Sequence, residues 1–127
     1  MPLSKVLYCE DEPDIRIVAE IALVNVAGLQ VRLCAHGGLA VAAAREFHPD
    51  LILLDVMMPN LDGPGTLQAL RSEPDLANIP VVFMTAKAMP SEIASLKALG
   101  AADVIAKPFD PMQLGATLKS IWDSLQR

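Results

Sequence analysis

Five short apolar runs, each followed by a longer helical pattern, limit what this chain can fold into. The runs occupy residues 6–9, 31–34, 51–54, 81–84 and 104–106. Four of them are nearly continuous, and only the second is interrupted, by Arg32. A strand with one solvated face would alternate apolar and polar residues. Continuous runs therefore indicate strands that are buried on both faces, as in a parallel sheet.

The segments between the runs have helical periodicity. They cover residues 13–27, 39–47, 63–72, 91–99 and 111–125. Ser91 and Asp110 are expected to cap the last two helices. The apolar face of the last helix is predicted to comprise Leu114, Leu118, Ile121 and Leu125. The strict alternation predicts an α/β protein with a flavodoxin-like (βα)5 fold, in which a five-stranded parallel sheet of order 2-1-3-4-5 lies between two helical layers.

The composition narrows the class of protein. The 127 residues fit one domain, spanning 1–127, and leave no tract for an effector domain. A formal charge of −5 disfavours nonspecific binding to nucleic acid. The most apolar helical segment is interrupted by Arg16, Glu20 and Asn25, so no membrane span is expected. No basic region followed by an apolar core opens the chain, so no secretory signal is expected. Cys9 and Cys34 lie in apolar runs and are interpreted as buried, reduced thiols, which together with these features predicts a cytoplasmic protein.

The residues that follow the strands carry the candidate chemistry. Glu10 and Asp11 follow the first run, Asp55 the third, Thr85 the fourth and Lys107 the fifth. Ligands bind at the carboxyl ends of parallel strands, so these side chains are expected to converge on one edge of the sheet. Two like charges 4 Å apart repel by about 4 kcal/mol at an effective dielectric near 20, which calls for protons or a cation. Oxygen ligands favour Mg²⁺. A solvated acidic rim remains the alternative for any one of these residues alone.

The same edge suits a phosphoryl group only if a metal bridges it. The loop that begins at Glu10 is acidic, and the chain has no glycine-rich phosphate loop. Asp55 can then act as a carboxylate nucleophile that forms an aspartyl phosphate. Lys107 would neutralise one phosphoryl oxygen, and the Thr85 hydroxyl would donate to another.

Four motifs lie in order along this pattern: EDEPDIR at 10–16, DVMMP at 55–59 with Asp62-Gly63 beyond it, TAK at 85–87 and KPF at 107–109. Together they resemble the receiver domain of two-component response regulators, of the stand-alone CheY-like type, over essentially the whole chain. The resemblance implies a phosphorelay signalling module. Asp55 would take a phosphoryl group from a phosphohistidine of a sensor histidine kinase or a histidine phosphotransfer protein, and phosphorylation would switch binding to a downstream protein target.

The resemblance also implies roles for individual residues. The implied Mg²⁺ ligands are Glu10, Asp11, Asp55 and Met57. Of these, Asp11 would bind directly, Glu10 through water and Met57 through its backbone carbonyl. Thr85 and Lys107 would contact the phosphoryl oxygens, and Gly63 would shape the loop behind the acceptor. The implied catalysis is limited to self-phosphorylation and autodephosphorylation, so the protein is not expected to be an enzyme in the usual sense.

One position departs from the family's pattern. The family usually carries an aromatic residue three positions before the lysine, and here that residue is Val104. Valine suits a strand but has no ring that can move inward with the threonine hydroxyl. We therefore expect phosphorylation to be reported through shifts of the loop from Thr85 to Met89.

Other interpretations stay open at this point. The chain can be a receiver cut from a larger protein. A small phosphatase of the haloacid dehalogenase type would need a second acid two residues after the nucleophile, where this chain has Met57. A degenerate, constitutively binding receiver is disfavoured by the intact Asp55, Thr85 and Lys107.

The first helix carries more apolar residues than one buried face needs. They are Ile15, Ile17, Val18, Ile21, Ala22, Leu23, Val24 and Val26. The surplus predicts an exposed patch that docks a phosphotransfer helix or a second copy of the chain, which makes a homodimer possible. Trp122 either covers an edge of the core or anchors a partner. Neither nucleic acid nor a membrane is expected as a direct partner.

Overall fold

The computed structural model describes residues 1–127 and contains a single five-stranded sheet. The strands are β1 Lys5–Cys9, β2 Gln30–Cys34, β3 Leu51–Asp55, β4 Val81–Thr85 and β5 Asp103–Ala106. Their order is β2-β1-β3-β4-β5, and every neighbouring pair is parallel. All residues of β3 and β4 are buried, as continuous apolar runs predict. The predicted flavodoxin-like fold and strand order are confirmed.

Five helices cover the two faces of the sheet. They are α1 Pro13–Glu20, α2 Ala40–Phe47, α3 Gly63–Arg71, α4 Pro90–Ala98 and α5 Leu114–Leu125. The first continues as a π-helical segment, Ile21–Val26, so the predicted helix over 13–27 is present but its second half is more loosely wound. Gly28, with φ +74°, ends it in the left-handed conformation that glycine adopts without strain. None of these helices combines the length and apolar character needed to cross a bilayer.

Two predicted caps are wrong in the structure. α4 begins at Pro90, and its cap is Met89, because the Met89 carbonyl accepts the amides of Glu92 and Ile93 at 3.0 Å. A proline in the first turn costs no hydrogen bond, so the helix can start one residue earlier than Ser91 allows. Asp110 does not cap α5 directly. It caps a turn over residues 111–113, in which its Oδ1 accepts the Met112 amide at 2.9 Å, and this turn leads into the helix.

Apolar side chains form one core on each face of the sheet. The face under α2 and α3 contains Leu7, Cys9 and Cys34, and both cysteines are buried free thiols, as predicted. The face under α1 and α5 contains Tyr8 and Trp122. Successive residues of β3 alternate between the two cores, with Ile52 and Leu54 on one face and Leu51 and Leu53 on the other.

Trp122 belongs to the core. It is buried, and its Nε1 donates to the Met1 carbonyl oxygen at 2.7 Å, so it covers an edge of the domain. Leu125 was predicted on the buried face of the last helix, but it is the last residue of α5 and is 44% exposed. Gly115 allows the close packing of α5, since a Cβ there would lie 2.2 Å from the Ala27 Cβ. In contrast, α4 has no buried residue.

Candidate functional site

The carboxyl ends of four strands align at one edge of the sheet. The register pairs Cys9 with Leu54, Asp55 with Met84, and Thr85 with Ala106. Glu10 therefore lies just beyond β1, and Lys107 just beyond β5. This alignment places the residues singled out at the strand ends along a common edge, which is where parallel sheets bind ligands.

Lys107 bridges two buried carboxylates. Its Nζ donates to Glu10 Oε1 at 2.8 Å and to Asp55 Oδ1 at 3.1 Å. Glu10 is fully buried and Asp55 is 4% exposed, whereas the Lys107 side chain retains 14% exposure. Charge-assisted bonds of this length in a buried site are strong, and both carboxylates depend on the same cation.

Tyr8 also contacts this network, and the sequence analysis did not single it out. Its buried hydroxyl donates to Glu10 Oε1 at 3.0 Å, and the Glu12 amide lies 3.3 Å from Glu10 Oε2. The signal in the sequence is spacing. Residues two apart in a strand project from the same face, so Tyr8 and Glu10 were bound to be neighbours.

Burial and charge shift the titration of these groups. Burial first, and then the neighbouring Glu10 carboxylate, raise the pKa of Asp55 from 3.8 to about 6, against the opposing effect of Lys107. Burial alone would raise the pKa of Glu10, but hydrogen bonding with Lys107 and Asp55 outweighs it, and the pKa lies below its ordinary value. The pKa of Lys107 is raised, since its bonds to Glu10 and Asp55 outweigh burial. The ionised form of Asp55 is therefore less favourable in the fold than in water.

The donor set fits a hard divalent cation. Carboxylate oxygens of Glu10, Asp11 and Asp55 lie within 4.8 Å of one another. Asp11 is half-buried, so it faces both the cluster and solvent. Oxygen-only ligands that carry excess negative charge match the preference of Mg²⁺, which retains several water ligands. The residues present therefore fit the ion that the sequence predicts.

Thr85 and Met57 belong to the neighbouring strand ends of β4 and β3. Thr85 is buried at the end of β4, and its Oγ1 accepts the Lys87 amide at 3.0 Å, which leaves the hydroxyl proton available to another acceptor. Met57 lies two residues beyond β3 with its side chain 69% exposed. Its carbonyl accepts no backbone hydrogen bond and is available as an oxygen ligand.

Gly63 closes the back of the loop that follows Asp55. Its amide donates to the Val56 carbonyl at 3.0 Å. A Cβ at this position would lie 2.7 Å from the Asp55 carbonyl oxygen and 2.8 Å from the Val56 Cα. Only glycine lets the start of α3 approach the backbone of the acceptor this closely.

An open cleft adjoins the cluster. It measures about 500 Å³ and lies between α1 and the loop after β5. Its lining includes Ile15, Val18, Lys107 and Phe109. The cleft separates the half-buried Lys107 from the first helix, whose lining residue Val18 is 42% exposed. On the same helical stretch, Ile17 is 56% and Ile21 is 51% exposed. The predicted surplus of apolar residues on this helix is therefore present at the surface.

Comparison with known proteins agrees with this geometry. A family model described as a response regulator receiver domain matches residues 6–119. The "Probable transcriptional regulator ycf27" of Porphyridium aerugineum is 39% identical over 121 residues, which are 95% of this chain and 49% of that protein. The DNA-binding response regulator MtrA of Mycolicibacterium smegmatis is 31% identical over 117 residues, which are 92% of this chain and 50% of that protein.

A solved structure matches over nearly its full length. The chemotaxis protein CheY4 of Vibrio cholerae superimposes with a TM-score of 0.84 and 31% identity, covering 94% of this chain and 98% of that one. By contrast, this chain spans about half the length of the curated relatives above. The similarity therefore concerns one domain of those proteins.

Proposed function

The chain belongs to the response regulator receiver family, and from that premise we propose that Asp55 is its phosphoryl acceptor. The family consists of signalling proteins rather than metabolic enzymes. The proposed donor is a phosphohistidine on a sensor histidine kinase or a histidine phosphotransfer protein. The chemistry of the chain itself is then limited to taking up its own phosphoryl group and losing it by hydrolysis.

The Lys107 bridge is the observation that carries this proposal. A half-buried lysine that binds Glu10 and Asp55 together can transfer one of its bonds to an incoming anion without leaving the site. Burial and the neighbouring Glu10 raise the pKa of Asp55 to about 6, so its carboxylate is more basic than that of an ordinary aspartate. Thr85 has a hydroxyl proton to offer on the same edge.

The proposed step is a direct transfer. An Asp55 carboxylate oxygen forms a bond to phosphorus as the P–N bond of the donor breaks. The imidazole nitrogen keeps the electron pair of that bond and takes up a proton. Lys107 moves toward one phosphoryl oxygen and Thr85 donates to another, so that the charge gained at Asp55 is matched by two donors.

Glu10, Asp11, Asp55 and the Met57 carbonyl would hold Mg²⁺. The chemistry supplied there by a bound divalent cation is neutralisation of charge on the carboxylates and the phosphoryl oxygens. Asp11 is the proposed direct ligand because it alone of the two acids after β1 faces solvent. Glu10, held by three donors, is proposed to act through water.

The experiment is incubation with Mg²⁺ and a small acyl phosphate, followed by intact mass spectrometry. One added phosphoryl group is expected, with none in Asp55→Asn and less when Mg²⁺ is chelated. Asp62→Asn is the matched control, since Asp62 lies near the acceptor but binds the Gly65 amide of its own helix. A wild-type chain that stays unmodified, or an Asp55→Asn chain that is modified equally, would refute the assignment.

We propose that output proceeds through the loop from Thr85 to Met89. Val104 is half-buried in β5 and offers no ring to report the state of Thr85. When Thr85 turns toward the phosphoryl group, the Lys87 amide loses its acceptor, which moves the loop. NMR relaxation dispersion with and without a phosphate mimic tests this, and unchanged loop dynamics would count against it.

The exposed face of the first helix is the proposed docking surface for the donor. It adjoins the cleft that leads to Lys107, so a helix packed on Ile17 and Ile21 would present its phosphohistidine to Asp55. Ile17→Glu should slow transfer from a phosphotransfer protein but not from a small acyl phosphate. Leu125→Glu, a similarly exposed leucine on α5, is the control. Sedimentation over a concentration series tests the homodimer that the same face permits.

The remaining alternatives are weaker. A haloacid dehalogenase-type phosphatase is not favoured, because the position of its second acid is taken by Met57. The charge of −5 supports a domain that does not itself bind nucleic acid, and a cytoplasmic location is proposed on the basis of the family and the buried free thiols. The length of the native gene decides whether such a domain is joined to an effector in one chain or binds its target as a separate protein.

A further inference from the structure

Tyr8 stands out among the polar groups that the proposed reaction does not use. Its ring lies in the core under α1 and α5 with no exposed surface, and its hydroxyl makes one hydrogen bond, to Glu10 Oε1 at 3.0 Å. A buried hydroxyl needs a partner, and a charged acceptor makes the bond stronger than a neutral one. The contact therefore fixes the position of Glu10 as much as it satisfies Tyr8.

Glu10 needs a partner that fixes its orientation more than a shorter aspartate would. It has three side-chain torsions, and its Oε1 lies 2.8 Å from the Lys107 Nζ. The third donor, the Glu12 amide at 3.3 Å, is the longest of the three. When Lys107 turns to the phosphoryl group, Tyr8 is the one strong donor left on Oε1.

We propose that Tyr8 is a positioning residue, whose buried hydroxyl holds the Glu10 carboxylate toward Asp11 and Asp55 and remains its donor when Lys107 is released. The part of this inference that concerns the release of Lys107 rests on the proposed function. The orientation of Glu10 toward the metal-binding cluster rests only on the contacts above. Partners that orient a ligand in this way are typically worth about 10- to 100-fold in metal affinity or activity.

Calorimetric titration with Mg²⁺ tests the proposal. Tyr8→Phe removes the hydroxyl alone and should weaken Mg²⁺ binding about tenfold or more. In a Glu10→Asp background, the carboxylate is withdrawn by one methylene, so the same substitution should have no further effect. Trp122→Phe removes a half-buried hydrogen bond from the same core layer and should lower stability without changing Mg²⁺ affinity. Equal weakening in both Glu10 backgrounds, or unchanged affinity of Tyr8→Phe, overturns the proposal.

A second measurement needs no substitution. Tyr8 is the only tyrosine of the chain, so isotope labelling of tyrosine Cζ gives one NMR resonance. This resonance should shift when Mg²⁺ is added and keep its hydrogen-bonded position after phosphorylation. A resonance whose chemical shift does not change when Mg²⁺ is added overturns the positioning role. If intact mass shows no phosphorylation of the wild type while Tyr8→Phe still weakens Mg²⁺ binding, the proposed function fails and the positioning role stands.

Discussion

Replacing Asp55 with asparagine should make the metal-free protein more stable at pH 8. The carboxylate of Asp55 is 4% exposed and lies beside the fully buried Glu10, so its ionised form costs free energy in the fold. Asparagine has nearly the same shape and no charge. It can still accept a hydrogen bond from Lys107, which keeps its ion pair with Glu10.

The size of the effect follows from the shift in titration. Burial and Glu10 raise the pKa of Asp55 from 3.8 to about 6. At about 1.36 kcal/mol for each pKa unit, this gap corresponds to roughly 3 kcal/mol, and sharing of protons with Glu10 reduces it, so about 1 to 3 kcal/mol is expected. Because the folded pKa is the higher one, the folded state binds the extra proton. The stability that this bound proton contributes is fully present below pH 3.8 and is lost as the pH rises through about 6.

Urea unfolding at pH 8 and pH 5 in the presence of a chelator measures this difference. Asp55→Asn should gain stability at pH 8 and much less at pH 5, where the wild type is largely protonated at Asp55. Asp123→Asn, the same change at an exposed position of α5, should have little effect at either pH. Added Mg²⁺ should stabilise the wild type more than the variant. An equal gain at both pH values, or no gain at pH 8, would refute the electrostatic argument.

Two further substitutions test the support of the site. Lys107→Ala should lower the free energy of unfolding by about 3 to 5 kcal/mol without metal, because two buried carboxylates lose their cation. Calorimetry should still detect Mg²⁺ binding to this variant. NMR should show only a small conformational change on phosphorylation. Gly63→Ala should cost about 1 to 3 kcal/mol in urea unfolding and slow phosphorylation, because the new Cβ meets the backbone of Asp55. Gly65→Ala is its control, since the nearest atom there is the flexible end of the Leu61 side chain, and an equal cost at both positions would contradict this reasoning.

The strands and their site residues were predictable because one physical cause determines both. Strands buried on two faces must be apolar throughout, so a charged or hydroxyl residue at the end of a run marks the point where the chain leaves the sheet. Asp55 and Thr85 are the last residues of β3 and β4 for this reason. The roles assigned to Glu10, Asp11, Asp55 and Met57 as metal ligands, and to Asp55, Thr85 and Lys107 in phosphoryl transfer, stay predictions.

The helix boundaries were less predictable because several residues compete to start each helix. Before α4, Met89, Pro90 and Ser91 all satisfy part of the chemistry of a helix start, and the backbone of the preceding loop decides among them. On α5, Leu125 is 44% exposed, whereas Trp122 is buried and its indole Nε1 donates to the carbonyl of Met1, 121 positions away in the sequence. Such long-range partners are invisible to local periodicity.

The limited burial of α4 has a consequence for the proposed signalling role. With no side chain fully buried, this helix is retained by little apolar area, so detaching or rotating it costs only a small part of the global unfolding free energy. Its backbone amides should therefore exchange with deuterium sooner than those of α5, which buries Leu114, Gly115, Leu118 and Trp122. Under the proposed function, a helix held this lightly beside the end of β4 would be redirected by the modest free energy of one added phosphoryl group, with no aromatic side chain needed to transmit the change.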